Sequence, residues 1–158
     1  MGLERVPQKM DCLFCRIAAG AEPASTVFED ARFLAFLDHR PLFPGHCLLI
    51  PKAHVETLAD LPPADAGPLL QRAQLLCAAM EQALGADGAF VAVNNRVSQS
   101  VGHLHVHVVP RRRKDGLRGF FWPRQKYGDA AQEEIVRIAL AAAVSRFKPS
   151  QAPVRDVS

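Results

Sequence analysis

Apolar and polar positions follow two different patterns along this 158-residue chain, and each pattern predicts one type of secondary structure. Between the prolines at 62 and 63 and Gly85, apolar residues recur at helical spacing, which predicts a long amphipathic helix. Shorter apolar runs rich in strand formers are bounded by turn residues. They predict five strands, STVFED, RFLAFLDHR, GHCLLIPK, GAFVAVNN and GHLHVHVVP, the third stopped by Pro51 and the last by Pro110.

Two more helices are predicted near the ends of this pattern. DCLFCRIAAG is typical of a short helix that Asp11 caps and Gly20 ends. DAAQEEIVRIALAAAVSRF has Asp129 and Gln132 at the spacing of a capping box. This order of elements predicts an α+β fold, with an antiparallel sheet and helices packed on one face. We expect a flexible arm over 1–10, a single domain over 11–147 and a tail over 148–158.

Composition places the chain among ordinary globular proteins. Hydrophobic residues make up 49% and charged residues 22%, and the length allows one domain with a real core. No apolar run approaches the roughly 20 residues of a membrane span. The first residues, MGLERVPQKMD, lack the apolar region of a secretory signal, so a cytoplasmic location is expected.

The net charge of +3 is unevenly distributed. Residues 111–126 contain seven Lys and Arg and one acid, a local charge of +6 that leaves −3 for the rest of the chain. Such a patch favours an anionic ligand at one site and disfavours a nucleic-acid partner. The segment 111–127 also holds Phe121 and Trp122, so it is either a flap that meets phosphates and stacks on a base or a solvated charged loop.

Three of the six histidines, His103, His105 and His107, occupy alternate positions in the last predicted strand. Side chains alternate across a strand, so these three share one face while Leu104, Val106 and Val108 face the core. The outer two histidines are separated by about 13 Å, whereas zinc bonds to imidazole at about 2 Å. Neighbouring histidines can share an ion but all three cannot, so their roles must divide.

The segment HLHVHVV resembles the signature of the histidine triad (HIT) family, in which three histidines alternate with apolar residues. CLFCRIAAGAEPASTVFEDARFLAFLD, PGHCLLIPKAH and NNRVSQSVGHLHVHVVPR are similar to other blocks of that family, and the resemblance covers about residues 11–113. It implies a HIT-like fold with a five-stranded antiparallel sheet, a long central helix and a C-terminal helix, commonly as a homodimer. It also implies nucleotidyl hydrolase or transferase activity at an α-phosphate.

By this resemblance, His105 is the nucleophile that forms a nucleotidyl-histidine intermediate. Neutral imidazole is nucleophilic near pH 7, provided that the other ring nitrogen has an acceptor, for which we expect a backbone carbonyl. His107 would donate to the phosphate as charge develops. Gln99 and Ser100 resemble the polar pair of the family that contacts phosphate oxygens and the leaving group.

The resemblance also implies a nucleotide site. Asp38 would accept bonds from the ribose hydroxyls, and His46 would lie near the wall of the site. The loop NNRVSQS is shorter than its family counterpart, so either Asn94 or Asn95 joins the phosphate contacts. An apolar slot for the base is expected from Phe14, Ile17, Phe36, Leu37 and His39. The alternatives are structural: a turn residue at 38, a structural hydrogen bond at 46, and core packing for the slot.

Cys12 and Cys15 form a Cys-x-x-Cys pair, which in a reducing compartment favours a metal or redox site over a disulfide. Some bacterial members of the family use this pair, a histidine after IPK and the first triad histidine as zinc ligands. Here those histidines are His54 and His103. Four ligands close a tetrahedral zinc site, so the ion would be structural. Two buried thiols without metal are the alternative.

Several functions fit these residues. The leading one is a nucleotide hydrolase or nucleotidyltransferase whose substrate is a purine nucleoside phosphoramidate or a dinucleoside polyphosphate, the basic segment favouring the polyphosphate. The hexose-1-phosphate uridylyltransferase branch is disfavoured, because this chain has His107 where that branch has Gln. A non-catalytic nucleotide sensor or adaptor of the same fold is the main alternative, and a zinc-held structural protein is a third.

Overall fold

The computed structural model describes residues 9–117 and 126–146. Its elements follow the predicted order, and a short 3₁₀ turn at Leu58–Asp60 precedes the long helix. The chain divides after Asp115 into two compact units, so the last helix is described by itself and the domain boundaries stay predictions. The helices and strands are α1 (Leu13–Ala18), β1 (Thr26–Glu29), β2 (Phe33–Leu37), β3 (Cys47–Pro51), α2 (Pro63–Leu84), β4 (Gly88–Val93), β5 (Val106–Arg111) and α3 (Ala130–Arg146).

All five strands form one antiparallel sheet in the order β1-β2-β3-β5-β4. The predicted α+β class and the five-stranded sheet are therefore confirmed. The histidine-bearing strand β5 lies inside the sheet, where His107 pairs with Leu48 on one side and with Ala92 on the other. A side chain on an inner strand has neighbours on both sides, which gives His107 a well-defined environment.

The sheet is covered on both faces, so the expectation of helices on one face is wrong. Alternate residues of β2 and β3, such as Phe33 and Leu49, pack in the cluster that contains the buried stripe of α2. The intervening residues, such as Phe36 and Ile50, pack against Phe14 of α1. The sequence carried this signal, because FLAFL and CLLIP are apolar at every position and a strand of that kind buries both faces.

The helix ends follow the predictions with two corrections. Helix α1 ends at Ala18 with Ala19 as its C-cap, and Gly20 follows in the left-handed conformation with φ +74°. Its N-cap is Cys12, and Asp11 does not cap it. Helix α2 ends at Gly85 in the left-handed conformation, as predicted. At α3, Asp129 accepts the Gln132 N–H at 2.7 Å, while the Gln132 side chain accepts from Gly128 and not from Asp129. The capping box is therefore displaced by one residue.

One glycine fixes the path of the loop that enters β3. Gly45 has φ +99°, and a Cβ there would lie 2.5 Å from Leu84 Cδ1 and 3.3 Å from Pro110 Cγ. The positive φ favours glycine, and a side chain would in addition have to displace the Leu84 side chain at the end of α2. The loop between β2 and β3 is thereby held against the body of the sheet. Its next residue, His46, belongs to the site described below.

In the ranges 9–117 and 126–146, every helix is too short or too polar to cross a lipid bilayer.

Candidate active site and metal cluster

Of the three alternating histidines, only His107 lies within strand β5, whereas the sequence predicts all three in one strand. Strand β5 begins at Val106 and runs through Pro110 to Arg111, so His103 and His105 precede it, and His103 lies in a bend. The alternation nevertheless holds, because Leu104, Val106 and Val108 all lie in the cluster under α2. The Leu104 N–H donates to the Val55 carbonyl at 2.6 Å, which ties the lead-in to the loop after β3.

His105 has one ring nitrogen occupied by the main chain. Its Nδ1 lies 2.8 Å from the His103 carbonyl, which can only accept, so Nδ1 carries the proton and Nε2 keeps its lone pair. This is the backbone acceptor that the sequence led us to expect. The Phe14 ring packs edge-on against the imidazole, with the ring centroids 5.3 Å apart. His105 is only 2% exposed, so it lies deeper than a side chain on an open cleft would.

A chain of hydrogen bonds gives His107 the opposite arrangement. The Leu42 N–H donates to His46 Nδ1 at 3.1 Å, so His46 carries its proton on Nε2. That Nε2 lies 3.0 Å from His107 Nδ1, which must therefore accept. His107 is left with a proton on Nε2, available as a donor. The rings of His105 and His107 have centroids 4.9 Å apart.

Burial keeps the rings of His46 and His107 neutral. Burial first, and then the neighbouring His105 and His46, lowers the pKa of His107 to about 4, although Asp38 acts in the opposite direction. Burial likewise lowers the pKa of His46, again opposed by Asp38. Both rings are therefore uncharged near pH 7, and each holds its single proton where the hydrogen-bond chain places it.

Asp38 follows β2 and borders the same two rings. Its carboxylate lies 3.8 Å from His46 Nε2 and accepts the Arg40 N–H at 2.9 Å, and its own N–H donates to the His46 carbonyl. Asp38, His46 and His107 have the donor atoms of a small metal site within 4.8 Å of one another. However, the bond from Leu42 leaves His46 Nε2 protonated, and a protonated nitrogen cannot bind a metal. The Leu42 N–H, His46 and His107 therefore form a hydrogen-bond relay, which Asp38 borders at 3.8 Å without joining it.

A second cluster has the opposite character and fits a metal ion. The four predicted ligands lie together, with one ligand atom from each within 4.8 Å of the others: Cys12, Cys15, His54 and His103. Cys15 Sγ lies 3.3 Å from His54 Nδ1 and 3.5 Å from His103 Nδ1, and Cys12 Sγ lies 3.5 Å from the same His103 nitrogen. Tetrahedral zinc with ordinary bond lengths separates its sulfur and nitrogen ligands by about 3.5 Å.

The surroundings of His103 prepare it as a ligand. Its Nε2 lies 2.8 Å from the Pro51 carbonyl, so that nitrogen is the donor and Nδ1 keeps a lone pair directed at the thiols. Burial lowers the pKa of His103 to about 4, which keeps the ring neutral. Burial raises the pKa of the Cys15 thiol, so a metal ion that binds there must displace a proton.

The polar loop before the triad separates the two asparagines. Asn95 Oδ1 accepts the Leu58 N–H at 2.8 Å, which is a structural contact. Ala92 pairs with His107 and Val93 with Val106, and Asn94 follows directly after β4. A contact of Asn94 with the phosphate stays a prediction.

The Gln99 side chain binds main-chain groups in this structure, and the predicted phosphate contacts of Gln99 and Ser100 stay predictions. The Gln99 amide accepts the Arg96 N–H at 2.7 Å and donates to the Glu56 carbonyl at 2.7 Å, so both of its ends hold the loop together. Arg96 has φ +66°, a strained value for a residue other than glycine. Ser100 borders a surface cavity of about 360 Å³ next to Cys12.

The predicted base slot is only partly assembled. Phe14 and Phe36 are buried in edge-on contact on the histidine face, with centroids 5.4 Å apart, and Ile17 packs beside them. Leu37 is a correction, because strand alternation turns it to the opposite face, where it lines an apolar groove along α2. His39 is highly exposed and lies 3.8 Å from the Asp38 carboxylate.

Two arginines of the basic segment make structural contacts. Arg111 forms a two-pronged ion pair with Asp115, at 2.6 and 2.8 Å, and Arg112 donates to the carbonyls of Leu84 and Gly85 at the end of α2. Arg111 is six extended residues from His105, about 20 Å. Residues 118–125, which include Phe121 and Trp122, lie outside the described residues, so the flap interpretation stays a prediction.

The partners that sequence reasoning missed are mostly main-chain groups. The Leu42 N–H and the Pro51 carbonyl fix the proton positions of His46 and His103. Residue types at these positions carry no signal of that role, because every residue has a main-chain carbonyl and every residue except proline has an N–H. The His46–His107 bond joins residues 61 apart, which no local spacing predicts.

Comparison with known proteins agrees with this architecture. The HIT domain family matches residues 19–114. The adenylylsulfatase HINT3 of Arabidopsis thaliana is 38% identical over 109 residues, which cover 68% of this chain and 55% of that protein. The chain thus matches about half the length of that relative. The adenosine 5'-monophosphoramidase hnt1 of Schizosaccharomyces pombe is 36% identical, covering 72% of this chain and 84% of that protein.

Solved structures give the same result. A crystal structure from Streptococcus mutans superposes with a TM-score of 0.79 at 34% identity, covering 90% of this chain and 91% of that one. A zinc-bound histidine triad family protein from Mycobacterium smegmatis is 38% identical, with a TM-score of 0.66, and covers 87% of this chain and 98% of that one.

Proposed function

The chain belongs to the HIT family, and from that membership we propose that it is a nucleotide hydrolase in which His105 attacks the α-phosphorus of a nucleotide substrate. The bond between the α-phosphorus and the leaving group breaks as the bond to His105 Nε2 forms. Water then cleaves the nucleotidyl-histidine and regenerates the imidazole. Splitting one displacement into two easier ones is the advantage of covalent catalysis.

The observation that carries this proposal is that the rings of His105 and His107 are held in different tautomers. His105 keeps a lone pair on Nε2 because its Nδ1–H is bound to a carbonyl, and His107 keeps a proton on Nε2 because its Nδ1 accepts from His46. With both rings uncharged, His105 can thus act as a nucleophile and His107 as a hydrogen-bond donor. The His107 donor would stabilise charge as it develops on the phosphate oxygens or the leaving group.

The substrate that we favour is a purine nucleoside phosphoramidate or a related adenylate with a small leaving group. Two named relatives support this choice, one an adenosine 5'-monophosphoramidase and the other an adenylylsulfatase. The sequence alone favoured a dinucleoside polyphosphate because of the basic segment. Arg111 and Arg112, two of the seven bases of that segment, bind Asp115 and the end of α2 about 20 Å from His105, so these two bases do not support the polyphosphate.

The remaining site residues receive roles in the same proposal. Asp38 would accept the ribose hydroxyls with the carboxylate that borders His46. Asn94 would contact the phosphate from β4, and Phe14, Ile17 and Phe36 would hold the base. Gln99 and Ser100 would contact the phosphate only after the loop 94–100 rearranges, since Gln99 is bonded to main chain in the present conformation.

Zinc is the cofactor that we propose, held by the four-residue cluster. Its ligand distances, and the main-chain acceptor on His103, support a closed tetrahedral site. The zinc-bound relative from Mycobacterium smegmatis also supports it. When bound, the ion would supply cross-linking of α1, the loop after β3 and the catalytic segment. With four protein ligands it has no open position for substrate.

We propose a homodimer as the working form, in a cytoplasmic setting. Strand β4 is an edge of the sheet, and Val91 on it is 41% exposed. Helix α2 adds exposed Leu70 and Leu75, so an apolar surface is available for a second copy. Sedimentation at micromolar concentration should show a dimer, and a monomer across that range would contradict the proposal.

A non-catalytic nucleotide sensor is the second candidate. One observation favours it: the proposed nucleophile is 2% exposed in this conformation, so a substrate must open the site to reach it. Trapping distinguishes the two functions. Incubation with an adenosine phosphoramidate labelled at the α-phosphorus, followed by rapid quenching, should give an acid-labile label on His105.

The matched control for trapping is His105→Ala. It should bind adenosine monophosphate but acquire no label. An unlabelled wild-type protein that binds the nucleotide would favour the sensor. Label at another residue would contradict the assignment of His105 as nucleophile.

A further inference from the structure

His103 lies where the Cys/His cluster meets the proposed nucleophile. Its Nδ1 is 3.5 Å from the sulfur atoms of both Cys12 and Cys15. Its carbonyl accepts the Nδ1–H of His105 at 2.8 Å. A single residue therefore contacts the cluster through its side chain and the nucleophile through its main chain.

Phe14 makes a second connection between the same two regions. It lies between the two cysteines on α1, and its ring packs edge-on against His103 and His105, at centroid separations of 5.9 and 5.3 Å. It also contacts Phe36 in the proposed base slot. Whatever fixes the cysteines therefore fixes the wall of the nucleotide site.

A third connection comes from the loop after β3. His54 Nδ1 lies 3.3 Å from Cys15 Sγ, and the carbonyl of the next residue, Val55, accepts the Leu104 N–H at 2.6 Å. The Pro51 carbonyl binds His103 Nε2 from the other end of the same loop. The two residues that precede His105 are thus held on both sides by groups that the cluster immobilises.

We propose that His103 is a positioning residue that couples occupancy of the metal cluster to the orientation of His105. A bound ion fixes the imidazole of His103 and, with it, the carbonyl that holds the proton of His105 on Nδ1. Without the ion, α1 and the lead-in to β5 are released together. His105 then populates both tautomers, and the Phe14 wall of the nucleotide site loosens.

This inference rests on the proposed function, because it takes His105 as the nucleophile, and it assigns the ion more than a role in stability. Linkage also makes it reciprocal. If a bound ion raises the affinity for nucleotide by some factor, bound nucleotide raises the affinity for the ion by the same factor. The coupling can therefore be measured from the metal side, without turnover.

The first test reads the tautomer of His105 directly and uses no nucleotide. Long-range nitrogen–proton NMR spectra of the zinc-loaded protein should show His105 as a single Nδ1–H tautomer. After zinc is removed with a chelator, the two nitrogen signals of His105 should move toward averaged positions. An unchanged His105 pattern in the folded, metal-free protein would overturn the inference.

If the metal-free chain unfolds, Phe14→Leu with zinc still bound takes its place, because this variant keeps all four ligands and removes the packed ring. Its His105 signals should shift toward the averaged pattern. Signals identical to those of the wild type would then overturn the inference. Cys77→Ser is the matched control, since Cys77 is a half-buried thiol in the cluster under α2, away from the metal ligands.

The second test measures the zinc affinity by equilibrium competition with a coloured chelator, with and without saturating adenosine monophosphate. Nucleotide should raise the zinc affinity about 10-fold in the wild type and in Cys77→Ser, the lower end of the effect of groups that orient metal ligands. It should raise the affinity much less in Phe14→Leu. Equal zinc affinities with and without bound nucleotide in the wild type would overturn the inference.

The two proposals fail in different ways. A zinc-loaded protein that neither binds the nucleotide nor acquires label at His105 would end the proposed function, and the tautomer spectra would then judge the coupling alone. Labelling of His105 at the same rate with and without zinc would leave the proposed function intact and end the coupling.

Discussion

His103 and His107 flank the same residue at the same spacing, and burial lowers the pKa of each to about 4. They nevertheless use opposite nitrogens. His103 donates from Nε2 to the Pro51 carbonyl, which leaves Nδ1 free as a ligand for a metal. His107 accepts on Nδ1 from His46, which leaves Nε2–H free as a donor. Identical residue types thus acquire different chemistry from a single neighbouring group.

The comparison teaches that the second nitrogen of a histidine decides what the first can do. Where the neighbour is a carbonyl, the other nitrogen of the histidine keeps a lone pair that a metal ion or an electrophile can use, as with His103 and His105. Where the neighbour is a donor, as His46 Nε2–H is for His107, the histidine becomes a donor itself. Four predictions break or sharpen this contrast.

The largest effects should come from removing each flanking ring in turn. His103→Ala should lose zinc and lower the melting temperature by about 10 °C, the scale of about 3 kcal/mol in a chain of this length. His107→Ala should keep zinc and lose about 10²–10³-fold in turnover, the usual cost of one donor to a developing charge. Metal content, melting curves and turnover of both variants check this. Equal loss of zinc in the two would contradict the division of roles.

The next effect should appear when the relay behind His107 is broken. His46→Phe removes the donor to His107 Nδ1, so turnover should fall about 10²-fold while zinc content is unchanged. His46→Gln can place an amide N–H near the position of the lost Nε2–H, so it should recover part of the activity. A kcat for His46→Phe equal to that of the wild type would show that the relay is dispensable.

A smaller effect is expected in the dependence of stability on pH. The folded pKa of His107, about 4, lies below its ordinary value of 6.5, because burial disfavours the charged ring. Protonation therefore favours the unfolded chain, and the contribution of His107 to stability is complete above about pH 6.5 and falls toward pH 4. Between pH 7 and 4, the free energy of unfolding should depend less steeply on pH in His107→Asn than in the wild type. Denaturant unfolding curves measured across this pH range check this. Parallel pH profiles would contradict it.

The smallest effects should separate the two asparagines. Asn95→Ala should cost about 1 kcal/mol of unfolding free energy, since it leaves the Leu58 N–H without its side-chain acceptor, and should leave turnover nearly unchanged. Asn94→Ala should leave stability nearly unchanged and reduce turnover. Paired denaturant and kinetic measurements check this, and a reversed pattern would show that the loop has a different register.

Much of the fold could be read from the sequence because its signals are local. Helix α2 is bounded by Pro63 and Gly85, and the strands are marked by apolar runs between turn residues. Errors arose where tertiary contacts decide. The sequence placed helices on one face, whereas consecutive apolar residues in β2 and β3 require a cover on both. Leu37 joined the predicted slot by its position in the chain, although strand alternation turns it away.

The sequence by itself determined which residue types are available for the proposed chemistry: three alternating histidines, a Cys-x-x-Cys pair and the carboxylate that follows β2. Imidazole, thiol and carboxylate groups can serve as nucleophile, donor or metal ligand in any fold. Only the tertiary structure decided which nitrogen of each histidine is free. That choice depends on backbone groups that every residue shares, such as the Leu42 amide and the Pro51 carbonyl, and on contacts between residues far apart in the chain. The tautomers follow from the fold, because a proton occupies the nitrogen whose neighbour can accept it.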